Sequence, residues 1–284
     1  GLGALGVPVG GAADPAALAA ANHLVGNNGS AAGLEVALSG PVLGFPAGAV
    51  AALTGARFAA TRSSGAAVAW NETLVLAAGE TLSLGQAQDG CRCWLALRGG
   101  LAVPQVMGSR STFLPAGFGG HRGRALKGGD ALPCAPGAGE VRLLRAQPPS
   151  SEPDAPLRVV AGPQAGLFDD AGLAVFFSRP YRVGPASDRR GLRLSGPAVT
   201  HGRVEMASQG VLPGAIQVPP DGQPIILGWD GPVTGGYPVI AGVVAADLPR
   251  LAQLRPGDAV RFVTIEVEAA RQLATKRWDI EELG

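Results

Sequence analysis

Short apolar runs separated by Gly, Pro and Asp recur along the chain, as in "GLEVALSG", "ETLSLG", "CRCWLALRGG", "LRVVAGP", "GAIQVPP" and "AVRFVTIEVE". Runs of this length bounded by turn formers predict many β-strands. Helical spacing is rarer. "DPAALAAANHLVGN" predicts a helix with Asp14 as its cap, Pro15 in its first position and Gly26-Asn27 as its stop. "DLPRLAQL" predicts a second, capped by Asp247 and halted by Pro256, and "EVEAARQLATKRWDIEEL" a third at the tail. In "QVPPDGQPIILGWDGPVTGGYPVI" an apolar strand, "PIILGW", lies between two Gly- and Pro-rich turns. Gln217, Asp221, Gln223, Thr234 and Tyr237 therefore fall at strand ends, where binding groups are commonly presented. Two ordinary hairpin turns are the plainer account of the same stretch.

The periodic pattern breaks once, in "RAQPPSSEPDAP", Arg145 to Pro156. Its Pro, Ser and charge mark a domain boundary. The expected organisation is an N-terminal lobe over 1–146, a linker over 147–156, a C-terminal lobe over 157–268 and a tail over 269–284. "LGVPVGGAADPAALAAAN" and "YRVGPASDRRGLRLSGP" resemble one another across the break, which suggests two related β lobes.

Composition sharpens the class. The 284 residues are 46% hydrophobic and 16% charged, with 44 Gly and 24 Pro, which suits a turn-rich, mostly β protein with a few short helices. The 23 basic and 22 acidic residues leave a net charge of +1 with no basic patch, so nucleic acid is not an expected partner. No apolar run approaches the roughly 20 residues of a membrane span, so no membrane is expected as partner either. Cys91, Cys93 and Cys134 are too few and wrongly spaced for a disulfide scaffold or a zinc set, and a reducing cytoplasm is the expected compartment. Cys91 and Cys93 read as small buried hydrophobes on one strand face.

Familiar chemical signatures are missing. "GLGALG" fits the letters of a dinucleotide fingerprint without the strand before it or the helix after it, and no phosphate loop, HExxH or GxSxG is present. His23, His121 and His201 stand singly, and no metal is expected. Carboxylates are the better candidates: Asp14, Glu35, Asp188, Glu205 and Asp221 each sit among Gly, Pro or small residues that let a ligand approach the backbone. Any one of them is equally a turn or cap residue. "ASDRRG" places Ser187, Asp188 and Arg189 on one short loop, where Asp188 and Arg189 either hold an amide or carboxylate ligand or pair with one another. "GSRST" offers hydroxyls beside Arg110, or is a solvated turn.

Several stretches taken together resemble one family. "GVPVGGAADPAALAAANHLVGN", "LEVALSGP", "LALRGGLAVPQVMGSRSTF", "GFGGHRGRALKGGD", "SDRRGLRLSG", "IQVPPDGQPIIL" and "TGGYPVIAGVVAADLPRLAQLRPGDAVRF" run in the order of the biotin-dependent carboxyltransferase family. That family includes the C subunit of bacterial 5-oxoprolinase, KipA and the second subunit of allophanate hydrolase. The family pattern has a further N-terminal strand and a "QD.GR" segment ahead of Gly1, and Arg190 stands where many members have an apolar residue such as Met.

The resemblance implies two cyclophilin-like β-barrel lobes related by approximate two-fold symmetry. It implies a polar cleft lined by "QVPPDGQP", "TGGYP" with Gly235, Gly236 and Tyr237, "SDRRG", and "GGAAD" with Asp14. Asp188, Arg189 and Asp221 are its expected catalytic residues; Asp14, Arg110, Ser187, Gln217, Gln223, Thr234, Gly235, Gly236 and Tyr237 its expected binding residues. The implied function is that of the C subunit of an ATP-dependent 5-oxoprolinase, acting on a lactam or amide with the A and B subunits, the latter KipI-like. No covalent cofactor is expected, since Lys127 in "LKGG" and Lys276 in "TKRW" do not fit an AMKM-like biotin turn, and ATP is expected to be engaged wholly or partly by the partners. A KipA-like regulator that binds a kinase inhibitor, or a urea-carboxylase-type carboxyltransferase taking carboxybiotin, are the alternatives.

Overall fold

The structure, a computed structural model, describes residues 2–149, 152, 154–202, 206–273 and 278–283. Glu205 and Lys276 lie outside the described residues. The chain divides into two compact units, one formed by residues 14–150 with 277–284 and the other by 151–276 with 1–13. The division falls within the Pro- and Ser-rich segment, but each unit also takes a terminal segment from the far end of the chain. Both units are built mainly of strands with few short helices.

In the unit of residues 14–150 the helix Pro15–Leu24 is set locally, as its sequence specifies. The Asp14 carboxylate accepts from the Ala17 N–H at 3.0 Å, and Pro15 takes the first position, where its missing N–H costs nothing. Its buried residues are Ala17, Ala20, Ala21, Asn22 and Leu24, and Ala21 and Leu24 pack with Ala52 and Ala96 of a sheet. That antiparallel sheet runs Leu34–Ala37, Arg92–Leu97, Ala49–Gly55, Thr73–Leu76. A three-stranded sheet, Val42–Phe45, Glu80–Ala87, Phe58–Arg62, shares a core that includes Leu53, Phe58, Leu82, Leu84 and Leu95. Cys91 and Cys93 are buried, and burial pushes the Cys93 thiol up to about 12, so it behaves as a hydrophobe.

The tail departs from the expected helix. Among the described residues of the tail Val267–Gln272 is helical, and Asp279–Glu282 is a strand paired antiparallel with Leu144–Gln147. Trp278 packs with Leu144 and Ala146, a contact that the tail's own sequence does not reveal.

The other unit holds an eight-stranded barrel-like sheet. Its order is Ala259–Val260, Tyr181–Val183, Gly191–Ser195, Ile225–Leu227, Ala215–Gln217, Val239–Val243, Leu157–Ala161, Phe262–Thr264. The two edge strands are successive pieces of one run, separated by Arg261 alone. Val260 pairs with Tyr181 at one edge and Phe262 pairs in parallel with Leu157 at the other, so "AVRFVT" carries the chain from one edge to the other and leaves the sheet nearly closed. The core carries Val159, Tyr181, Ile216, Ile226 and Ile240. A helix absent from the expectation, Asp170–Ser178, is capped by Asp169 and buries Phe176, whose ring stacks on Phe262 at 4.5 Å. It is apolar nearly all round, so it lacks the polar stripe that reveals a helix in sequence.

"DLPRLAQL" also differs from its expectation. A 3-10 turn, Ala245–Asp247, leads into the short helix Leu248–Leu251, and the Asp247 side chain does not cap it. The carboxylate instead accepts from the Arg158 backbone N–H at 2.8 Å and from the Arg158 guanidinium at 2.5 Å.

Candidate functional site

Because Gly191 pairs with Leu227, the loop that enters the strand Gly191–Ser195 lies beside the loop that leaves Ile225–Leu227. Backbone bonds lock the two: Gly228 N–H donates to Arg190 O at 2.9 Å and Asp230 N–H to Arg189 O at 3.0 Å. Arg189 then forks onto Asp230, Nε to Oδ2 at 2.8 Å and Nη2 to Oδ1 at 3.2 Å, with the Asp230 side chain only 3% exposed. Asp188 turns elsewhere. It accepts from Arg190 N–H and Arg190 Nε, both at 2.8 Å, in an exposed pair. Asp188 and Arg189 therefore do not pair with each other: one carboxylate is presented at the surface, and the guanidinium braces a loop. Ser187 Oγ accepts from Arg193 N–H at 3.1 Å, which closes the turn.

The turn 219–223 is fixed by its own side chains. Asp221 Oδ1 accepts from Gln223 N–H at 3.0 Å, and the Gln223 amide bonds both backbone groups of Gly196, at 2.9 and 3.2 Å. Gln223 is thus a brace between loops, while Asp221 is exposed. Gln217 is buried, and its amide lies against Gly235, where an added Cβ would come within 2.4 Å of Nε2. A side chain at position 235 would therefore make the Gln217 amide shift. Gln217 Nε2 donates to the Tyr237 carbonyl at 3.5 Å, and Thr234, Gly236 and Tyr237 are exposed. Gln217, Gly235 and Tyr237 are thus brought together. Sequence reading missed Gln209, which pairs with Gly235, Gln164, which bonds Gln209 and the Val239 N–H, and Asp230, which holds Arg189, because nothing local marks side chains whose partners lie more than 40 residues away. Near Thr234 a groove of about 550 Å³ is walled by apolar residues that include Val7, Pro8, Val211, Leu212 and Trp229, and Gly10 N–H donates to Trp229 O at 3.1 Å beside it.

Asp14 and Arg110 belong to the other unit. Burial pushes the Asp14 carboxyl up, opposed by the N–H groups of Ala17 and Ala16 and reinforced by nearby Glu35. Glu35 itself meets Arg92 Nε and Trp94 Nε1, each at 3.3 Å. Arg110 Nε donates to Val103 O at 3.0 Å, which makes it a loop brace. In "GGHRGRALKGGD" a second cluster forms around Asp130. The Arg124 guanidinium and the Lys127 N–H hold the Asp130 carboxyl well below the usual range, and His121 Nε2 lies 3.5 Å away. Among the described residues no group of His, Cys, Asp and Glu is arranged to hold a metal ion. No helix among them is long and apolar enough to cross a membrane.

Sheets in both units with few helices, and a nearly closed eight-stranded sheet in one of them, are the architecture of carboxyltransferase domains. The chain belongs to the family of the carboxyltransferase domain, subdomain A and B, which matches residues 5–264. It is 40% identical to the C subunit of 5-oxoprolinase from Escherichia coli over 264 residues, covering 92% of this chain and 84% of that protein. It is 33% identical to urea amidolyase of Lachancea kluyveri over 95% of this chain, but spans only 16% of that protein. Among solved structures, the urea amidolyase of K. lactis superposes with a TM-score of 0.85 at 34% identity, over 96% of this chain and 18% of that one.

Proposed function

We propose that the chain acts as the C subunit of an ATP-dependent 5-oxoprolinase, opening 5-oxo-L-proline to L-glutamate together with the A and B subunits. One observation carries this reading: the similarity to the Escherichia coli protein runs through 84% of its length, so most of what builds that subunit has a counterpart here. The match to urea amidolyase is to a small part of a much longer chain. A lactam is a resonance-stabilised amide, and water does not open it unaided. In this reading ATP phosphorylates the carbonyl oxygen and water adds to the activated carbon of a ring held by charged and polar side chains; the ring C–N bond then breaks as the nitrogen leaves protonated, and hydrolysis of the resulting acyl phosphate gives the carboxylate and phosphate. In this reading Asp188 offers a surface carboxylate, Thr234 and Tyr237 offer hydroxyls, and Arg189 keeps the Asp188 loop in place through Asp230. ATP is engaged wholly or partly by the partner subunits, and the chain carries no covalent biotin.

A carboxyltransferase reading is favoured by the TM-score of 0.85 to urea amidolyase. Reconstitution separates the two. ATP-dependent release of glutamate from 5-oxoproline is expected when this chain is added to its cognate A and B subunits, and none when it is left out. Turnover that does not depend on the chain would remove the reading. Carboxylation of urea with a biotinylated partner in place of glutamate release would transfer it to the carboxyltransferase class.

A further inference from the structure

The run Thr234–Val239 has little stiffness of its own. Gly235 and Gly236 are conformationally free, and Pro238 has no N–H to give to a sheet. Three glutamine side chains supply what the backbone lacks. Gln209 pairs its backbone with Gly235, and its side-chain amide closes a ring with that of Gln164. In this ring Gln164 Nε2 donates to Gln209 Oε1 at 2.9 Å, and Gln209 Nε2 donates back to Gln164 Oε1 at 2.8 Å. Gln164 Oε1 also accepts from Val239 N–H at 3.1 Å. Gln217 packs its amide on Gly235 and donates to the Tyr237 carbonyl. Positions 235, 237 and 239 are each pinned. The Tyr237 side chain is not used in this framework: it is 45% exposed, and among the described residues nothing is bonded to its hydroxyl. A free phenol on an immobilised backbone is pre-organised to meet a ligand, because little freedom is lost when it does so.

We infer that Gln164 and Gln209, with Gln217 as the third pin, are positioning residues for Tyr237, whose hydroxyl donates to a carbonyl or carboxylate oxygen of the substrate. This rests on the 5-oxoprolinase reading. A leucine at position 164 would leave the Gln209 amide and the Val239 N–H without their partner and let the run shift. The test is a double-mutant cycle on the reconstituted enzyme with 5-oxo-L-proline, using Gln164→Leu, Tyr237→Phe and the pair. Each single change is expected to lower kcat/KM by ~10- to 100-fold, since displacement of a positioned group by about 1 Å has effects of that order. The double variant is expected to be no worse than the poorer single, because both remove the same contact. Should Gln164→Leu not fold, Gly235→Ala, which displaces the Gln217 amide and leaves the Gln164–Gln209 ring intact, takes its place in the cycle with the same expectation. Multiplying losses, as independent destabilisation would give, or an unchanged kcat/KM in the first variant, would overturn the inference with the oxoprolinase reading intact. A wild-type complex without 5-oxoproline turnover would remove that reading, and the inference with it.

Discussion

Asp188 and Arg189 are neighbours in sequence with opposite surroundings. The Arg189–Asp230 pair is largely withdrawn from water, so removing one partner strands a buried charge. Arg189→Met is expected to cost about 3 kcal/mol in urea denaturation, the order found when a buried pair is broken. The Asp188–Arg190 pair is solvent-exposed, and Asp188→Asn is expected to cost less than about 1 kcal/mol. The same Asp188→Asn change is expected to abolish turnover of the assembled enzyme, because a presented carboxylate is lost while the fold stays. Near-normal turnover would return Asp188 to the role of a turn residue. The sequence "ASDRRG" makes the concentration of polar groups legible, but not their division of labour. Asp230 stands in an unremarkable "WDGP", and its pairing with Arg189 follows only from the Gly191–Leu227 register.

At the scale of elements, the strand Glu80–Ala87 is tied at its first residue. The Glu80 carboxylate takes Arg62 Nε at 2.7 Å, Ser64 Oγ at 2.5 Å and the Ala77 N–H at 2.8 Å. The Arg62 guanidinium first, then Ser64 and Ala77, hold its carboxyl down at about 2 against an ordinary value of 4.5. A depressed folded value means that the stabilisation is complete above 4.5 and is lost as pH falls towards 2. Glu80→Gln is thus expected to melt at a lower temperature than the natural chain near neutral pH, with the gap closing as pH falls through that window. A gap that stays constant with pH would detach it from the Glu80 charge. Elements with local signals were readable: Asp14 and Pro15 announce the first helix, and short apolar runs between turn formers announce strands in both units. Elements set by distant partners were not. Asp279–Glu282 pairs with Leu144–Gln147, more than 130 residues away, and "AVRFVT" divides between two edges of a nearly closed sheet, pairing with Tyr181 on one side and Leu157 on the other.

On the scale of the whole molecule, low charge content predicts apolar surface left uncovered. Leu5, Val9 and Leu212 are exposed in one unit and Val42 and Val75 in the other. They support the reading that other subunits cover part of this surface. Co-expression with the cognate B subunit is expected to give one complex in size-exclusion chromatography at micromolar concentration, and the chain alone is expected to show no 5-oxoprolinase activity. Separate elution of the two chains, or full activity from this one, would defeat that expectation. The division between the units at 150/151 lies inside the segment "RAQPPSSEPDAP", whose first residues, Arg145 to Gln147, belong to a strand that buries Ala146. The exchange of terminal segments was not legible, since it depends on contacts such as Gly10 N–H to Trp229 O, made across most of the chain. That exchange bears on how the protein is made. Synthesis proceeds from the N-terminus at roughly 5–20 residues per second, so Gly10 waits on the order of tens of seconds for Trp229 to emerge. The unit of residues 14–150 cannot receive its closing strand until Asp279–Glu282 has left the ribosome. By then the other unit has been translated in full, so the half that is made first is the half that is finished last.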